Sequence, residues 1–213
     1  MTLIGCIIQF CMFLTAEFSE SFLLSVMSYD RYVAICNPLH YPSIMTYRFC
    51  VTSVNVIWLV ASLVMSVYAI LIYNLYFCGP HIIDHFYCDL EPILQLSCSD
   101  ISTIHRQNLI TGFFTGFCPF SVIVMSYVYI VITILKIPSN TGRRKAFSTC
   151  SSHLTVVSIL FGTLMTVYMS PTSGRSLILN KFLSVIYTVL TPLLNPIIYT
   201  LRNKDFKEAF RKI

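Results

Sequence analysis

Residues 49–83 read FCVTSVNVIWLVASLVMSVYAILIYNLYFCGPHII, without one Asp, Glu, Lys or Arg. A helix rises about 1.5 Å per residue and the hydrocarbon layer of a bilayer is roughly 30 Å thick, so ~20 apolar residues cross it. Residues 107–135, 146–174 and 182–201 are equally free of charge. A fifth run opens the chain, from Met1 to about Tyr29, and is apolar apart from a few polar residues and Glu17 and Glu20. These runs are long and apolar on every face, unlike the short alternating strands of a membrane β-barrel. They predict an all-α, multi-pass transmembrane bundle forming one domain over 1–213, with spans at about 3–29, 50–73, 107–134, 146–169 and 181–201.

Composition agrees, because 56% hydrophobic and 11% charged residues in a chain of 213 cannot clothe a soluble surface. The first run lacks the basic start of a secretory signal peptide and holds two carboxylates in its apolar middle, which argues against cleavage. After Leu201 the pattern turns to alternating charge with Phe206, Ala209, Phe210 and Ile213 on one side. That predicts a short amphipathic helix at about 203–212, lying on the headgroup surface.

Basic residues in short loops mark the cytoplasmic side. Arg31 and Arg48, then Lys136, Arg143, Arg144 and Lys145, then Arg202, Lys204, Lys207, Arg211 and Lys212 make eleven on one side. Arg106, Arg175 and Lys181 are the three on the other. The loop at about 74–106 is acidic, with Asp84, Asp89, Glu91 and Asp100, and is expected to face outward. Five spans then lead from an outside amino terminus to an inside carboxyl terminus. The net charge of +5 is scattered over loops and tail, so nucleic acid is not an expected partner. The connector Thr141–Lys145 reads as a lipid anchor.

Of nine cysteines, Cys78, Cys88 and Cys98 lie in the outward loop and Cys6 at the same membrane face, where oxidising conditions allow two pairs in any of three connectivities. Cys11, Cys36, Cys50, Cys118 and Cys150 read as reduced apolar residues. Nine residues separate successive loop cysteines, unlike the close pairs of zinc modules, so no metal is expected. No Asn-x-Ser/Thr sequon occurs in the chain. His40, His81, His85, His105 and His153 form no metal-ligand or nucleophile motif, and neither an enzyme nor a cofactor is expected.

Ionisable groups inside a membrane are costly and normally face a bundle interior or a watery cavity. Glu17 and Glu20, three positions apart, share one helix face. Either a protonated carboxyl bonds another helix, or the pair serves a ligand or ion. Asp30, Arg31 and Tyr32 close the first span. Pro192 and Pro196, with Asn195 beside the second, interrupt the last span, as a static kink or as a pivot.

Three strings carry a resemblance. Met27-Ser28-Tyr29-Asp30-Arg31-Tyr32-Val33-Ala34-Ile35-Cys36 runs into Asn37-Pro38-Leu39-His40-Tyr41. Lys145-Ala146-Phe147-Ser148-Thr149-Cys150-Ser151-Ser152-His153-Leu154 opens the fourth span. Pro192-Leu193-Leu194-Asn195-Pro196-Ile197-Ile198-Tyr199, then Thr200-Leu201-Arg202-Asn203, closes the fifth. In order and spacing, over essentially the whole chain, these resemble the inner end of the third helix, the start of the sixth and the seventh helix of olfactory receptors, within the rhodopsin-like G-protein-coupled receptors.

The resemblance implies that the five spans are helices three to seven of a seven-helix receptor, with the first two helices and the outer glycan-bearing segment missing. It implies disulfides Cys6–Cys88 and Cys78–Cys98. It implies an odorant cavity lined by Phe13, Leu14, Glu17, Phe18, Thr111, Thr115, Phe161, Met165, Tyr168 and Tyr187, an apolar pocket with a few polar groups that suits small volatile ligands. Glu17 there would favour a polar or cationic odorant. Phe161 stands where the family commonly has tyrosine, and Thr200 where serine is usual; the first removes a hydroxyl from the pocket floor.

The implied activity is odorant detection at the plasma membrane and signalling to a stimulatory G protein. The activation switch would consist of Asp30, Arg31, Tyr32, Tyr127, Asn195, Pro196 and Tyr199, with Arg31 leaving Asp30 as the sixth helix swings out. Loss of two helices would instead suit a nonfunctional receptor fragment, retained in the endoplasmic reticulum or trapping full receptors there. A five-span transporter or channel, with the intramembrane carboxylates as ion ligands, is a third reading, set against the lack of an internal repeat.

Overall fold

The computed structural model describes residues 2–78 and 87–169, with isolated positions 185, 188, 189, 192 and 193 beyond them. Among the described residues six helices follow in order: α1 (Leu3–Cys36), α2 (Tyr41–Ile44), α3 (Tyr47–Tyr73), α4 (Leu90–Leu94), α5 (Ser102–Leu135) and α6 (Asn140–Met169). Four of them, α1, α3, α5 and Asn140–Thr166 of α6, are long and apolar enough to cross a membrane. They contain the spans expected at 3–29, 50–73, 107–134 and 146–169. Of the span expected at 181–201 those five isolated positions alone are described, and the surface helix expected at 203–212 lies outside the described residues.

The helices outrun the apolar runs. α1 continues through Asp30 and Arg31 to Cys36, α5 begins five residues before its charge-free run, and α6 begins at Asn140, ahead of Arg143 and Arg144. Charge ends the part of a helix that hydrocarbon tolerates, but arginine is a good helix former and the backbone ladder runs on past it. At 34 residues, α1 is about 50 Å long, longer than the hydrocarbon layer is thick.

The chain divides into two compact units, one of Met1–Leu23 and Thr46–Pro119, the other of Leu24–Met45 and Phe120–Ile213. In the first, Ile7 and Phe10 on α1 and Met65, Tyr68 and Ile72 on α3 fall at the three- and four-residue spacings that place side chains on one helix face. With Leu90, Ile93 and Leu94 of α4 they form a buried cluster, and Phe10 meets Tyr68 edge-on at 6.0 Å. The opposite face of α3 leaves Leu59, Leu63 and Ile70 exposed. In water such a face would be polar; here it suits lipid.

Two disulfides secure the loop between α3 and α5. Cys6–Cys88 ties it to α1 with Cα atoms 5.4 Å apart, and Cys78–Cys98 closes it on itself at 5.9 Å. These are the pairs the resemblance implies. Around the second, an antiparallel bridge joins Phe77 and Ser97, with Cys78 N–H donating to the Leu96 carbonyl and Cys98 N–H to that of Tyr76.

Asp100 starts α5. One carboxylate oxygen accepts from the Ser102 N–H at 2.9 Å and the other from its hydroxyl at 2.9 Å. The backbone bond first, then the hydroxyl, hold this exposed carboxyl below the ordinary aspartate range. A lowered folded-state pKa means that the cap contributes fully above the ordinary value, about 3.9, and is lost as pH falls through the lowered one. Amide exchange at 102–105, corrected for its intrinsic pH dependence, should therefore be flat from about pH 5 upward and speed up in acid. Asp100→Ala should show the fast rate at neutral pH as well.

In the second unit, Leu24 of α1, Ile123, Tyr127, Ile130 and Ile134 of α5, and Cys150, Val156, Val157, Leu160 and Phe161 of α6 form the core. Its α5–α6 connection is four residues long, 136–139, and Arg143 of α6 reaches back over it. The Arg143 guanidinium donates to the carbonyls of Leu135 at 3.4 Å and Ile137 at 3.1 Å, satisfying acceptors that a helix end leaves open. The basic connector thus does more than meet lipid, since one of its charges finishes α5.

Candidate ligand and coupling sites

The expected switch residues within reach are Asp30, Arg31, Tyr32 and Tyr127, all in the second unit. Asp30 and Arg31 are neighbours on α1, and Arg31 Nε lies 3.8 Å from one Asp30 oxygen. The other oxygen accepts a 2.8 Å hydrogen bond from the Tyr41 hydroxyl. Tyr41 opens α2, the single turn that Pro42 favours at its start and that follows directly from the loop after α1. Asp30 therefore holds Arg31 and the following loop at once. In the sequence Tyr41 stands out only as the end of a family string.

Tyr32 packs between Tyr29 and Tyr129, with ring centroids at 6.1 Å and 5.9 Å. Tyr29, Tyr32 and Tyr129, with Ser121, Val122, Met125 and Ser126, line an open groove of about 380 Å³ between α1 and α5. None of the expected odorant-contacting residues lies in it.

Tyr127 belongs to a buried polar relay that spacing could not reveal. His153 on α6 is 2% exposed. Its Nε2 lies 3.0 Å from the Leu24 carbonyl of α1, and its Nδ1 lies 3.0 Å from the Tyr127 hydroxyl of α5. A carbonyl only accepts, so Nε2 carries the proton and Nδ1 accepts from Tyr127. The Tyr127 hydroxyl has a longer alternative at the Cys150 carbonyl, 3.4 Å away. One imidazole thereby joins three helices of this unit. The sequence signal was a titratable residue inside a charge-free run.

The expected odorant contacts fall in both units. In the first, Phe13, Leu14, Glu17 and Phe18 lie on α1 and Thr111 and Thr115 on α5. Both threonine hydroxyls are engaged within α5: Thr111 accepts from Gln107 Nε2 at 3.3 Å and Thr115 donates to the Thr111 carbonyl at 2.9 Å. In the second, Phe161 is buried against Phe120 with centroids 5.3 Å apart, and Met165 is half exposed. The side chain of Tyr168, and Tyr187, Asn195, Pro196 and Tyr199, lie outside the described residues.

The first unit concentrates negative charge. The Cys6–Cys88 bond lays the loop on α1, and Cys88 N–H donates to Gln9 Oε1 at 3.3 Å. That placement brings Tyr87 edge-on to Phe13 at 5.6 Å and Asp89 within electrostatic reach of Glu17, which also feels Glu20. Asp89 caps α4 by accepting from Leu90 N–H at 2.8 Å. Glu17 Oε2 is buried and has no hydrogen-bond partner among the described residues.

Comparison with known proteins adds the lineage. A family model for olfactory receptors matches residues 1–213. Human olfactory receptor 11H6 is 48% identical over 209 residues, 98% of this chain and 63% of its own length. Olfactory receptor 1G1 of Gorilla gorilla gorilla is 49% identical over 209 residues, 98% of this chain and 67% of its own. Mouse olfactory receptor 5G25 is 50% identical over 206 residues, 97% of this chain and 65% of its own. The chain thus spans about two thirds of the length of the relatives it matches.

Proposed function

The chain belongs to the olfactory receptor family of G-protein-coupled receptors, and we propose that it detects small odorants at the plasma membrane and signals to a stimulatory G protein. The observation that carries this reading is the Asp30 carboxylate, held between Arg31 and the Tyr41 hydroxyl. A charged residue kept by one neighbouring carboxylate is a two-position device: it can stay, or leave and meet a partner.

The basic residues of the loops after α1 and α5 put this end of the chain in the cytoplasm, where a G protein approaches, and the disulfide-bonded acidic loop outside. Phe13, Leu14, Glu17, Phe18, Thr111, Thr115, Phe161, Met165, Tyr168 and Tyr187 are the proposed odorant contacts. An agonist contributes its differential affinity for the packing in which the sixth helix of the receptor, α6 here, has moved outward. Arg31 then leaves Asp30, and Tyr127, with Asn195, Pro196 and Tyr199 of the last span, repacks around it.

The test is a cAMP assay of cells carrying this chain against an odorant panel. The expected result is a concentration-dependent rise for at least one odorant, abolished in Arg31→Ala at equal surface level. A rise that survives Arg31→Ala sinks the coupling assignment, and silence toward the whole panel at normal surface level sinks the activity.

A further inference from the structure

We propose that the Glu17 site takes a small organic ammonium ion, a protonated primary alkylamine, as its ligand. This rests on the reading of Glu17 as an odorant contact and adds the chemical class. Phe13, Glu17 and Glu20 share one face of α1 by their four- and three-residue spacing. The disulfide at Cys88 adds the Asp89 charge to that face, and the Tyr87 ring meets Phe13 there.

Glu17 Oε2 is shut off from solvent, and among the described residues it has no hydrogen-bond partner and no lysine or arginine paired with it. A buried, unpartnered carboxyl oxygen calls for a hydrogen-bond donor, and its ionised form for a counter-charge as well. An ammonium group brings both, with three N–H donors on one small cation. Neighbouring carboxylates add attraction for a cation and repel an anion, and the aromatic pair suits a short alkyl tail and the cation itself. An alcohol of the same length supplies a donor without charge, so it answers only half of the demand.

The experiment uses the full 213-residue chain in lipid nanodiscs at pH 7, with hexylamine, which is protonated there, and its neutral match 1-hexanol as probes. The wild-type chain is expected to bind hexylammonium more tightly than hexanol. Glu17→Gln should weaken hexylammonium on the order of 30-fold and hexanol far less, since only the amine loses a charge partner. A wild-type chain that prefers hexanol, or an unchanged hexylammonium affinity in Glu17→Gln, overturns the ammonium assignment; hexanol binding would then leave the odorant site standing. Binding of neither probe overturns the odorant site and this inference with it. Should Glu17→Gln fail to fold, Glu17→Asp carries the test, since it keeps the charge and should keep the preference for the amine; its loss overturns the proposal.

Discussion

Cys6→Ser is expected to unfold the unit built on Leu3–Leu23, whereas Cys78→Ser should weaken it and leave it formed. Both substitutions remove one disulfide, but the loops they open differ. Cys6 and Cys88 are separated by 82 positions, Cys78 and Cys98 by 20. Loop-closure entropy makes the first bond worth about 4–5 kcal/mol and the second about 3 kcal/mol. Helices that stay inserted already restrain the unfolded chain, so both figures are upper bounds.

The larger difference is architectural. Cys6–Cys88 places α4 and its apolar Leu90, Ile93 and Leu94 in the cluster with Phe10 and Tyr68, so losing it also loses packing. Cys88 left alone can pair wrongly with Cys78 or Cys98, and the Cys6→Ser/Cys88→Ser double variant separates mispairing from lost constraint. Size-exclusion profiles after heating should show little folded Cys6→Ser at 37 °C, with partial recovery in the double variant. A Cys6→Ser midpoint equal to that of Cys78→Ser would refute the ranking.

His153→Ala is the second large effect, expected to cost about 2–4 kcal/mol. Interhelical hydrogen bonds in membrane proteins average only about 0.6 kcal/mol, so the two bonds of His153 account for roughly 1 kcal/mol. Most of the remainder is the cavity left by an imidazole stacked at 5.7 Å on the Tyr127 ring in a close-packed core. Tyr127→Phe keeps the ring and removes the hydroxyl alone, and should cost about 1 kcal/mol or less.

The double variant decides whether the relay exists. With His153 gone, the Tyr127 hydroxyl has lost its 3.0 Å partner while the longer bond to the Cys150 carbonyl remains, so Tyr127→Phe should cost less in that background than in the wild type. Strict additivity of the two thermal shifts would mean that the hydroxyl and the imidazole do not interact. Because the relay joins α1, α5 and α6, its removal should also raise basal cAMP if outward movement of α6 is the activating step.

Much of the fold was legible because hydrophobicity is a local, additive property and the bilayer sets a length. Residues 49–83 need no tertiary information to be read as a span. The helix ends were less legible, since Asp30, Arg31, Arg143 and Arg144 mark where lipid burial stops and not where the backbone ladder stops. The short helices α2 and α4 carried no periodic signal at all; each is a single turn held by its neighbours, Tyr41 by Asp30 and Leu90 by the Asp89 cap.

The candidate sites divide the same way. Glu17 announced itself as a carboxylate in apolar sequence, and Asp30-Arg31-Tyr32 as part of a family string. Cysteine spacing alone left three pairings open, and only the resemblance chose among them. His153 and Arg143 gave no hint of their partners, since a charge or an imidazole in a row of letters does not say which carbonyl it will meet.

By itself the sequence determined that this chain crosses a membrane as helices, which of its faces is basic, and to which family its strings belong, because each of these depends on residues close together along the chain. Only the tertiary structure decided that Asp89 comes within electrostatic reach of Glu17, that Tyr41 takes Asp30, and that His153 joins Leu24 to Tyr127. Packing and disulfide closure select these arrangements, and no local window of the sequence records either.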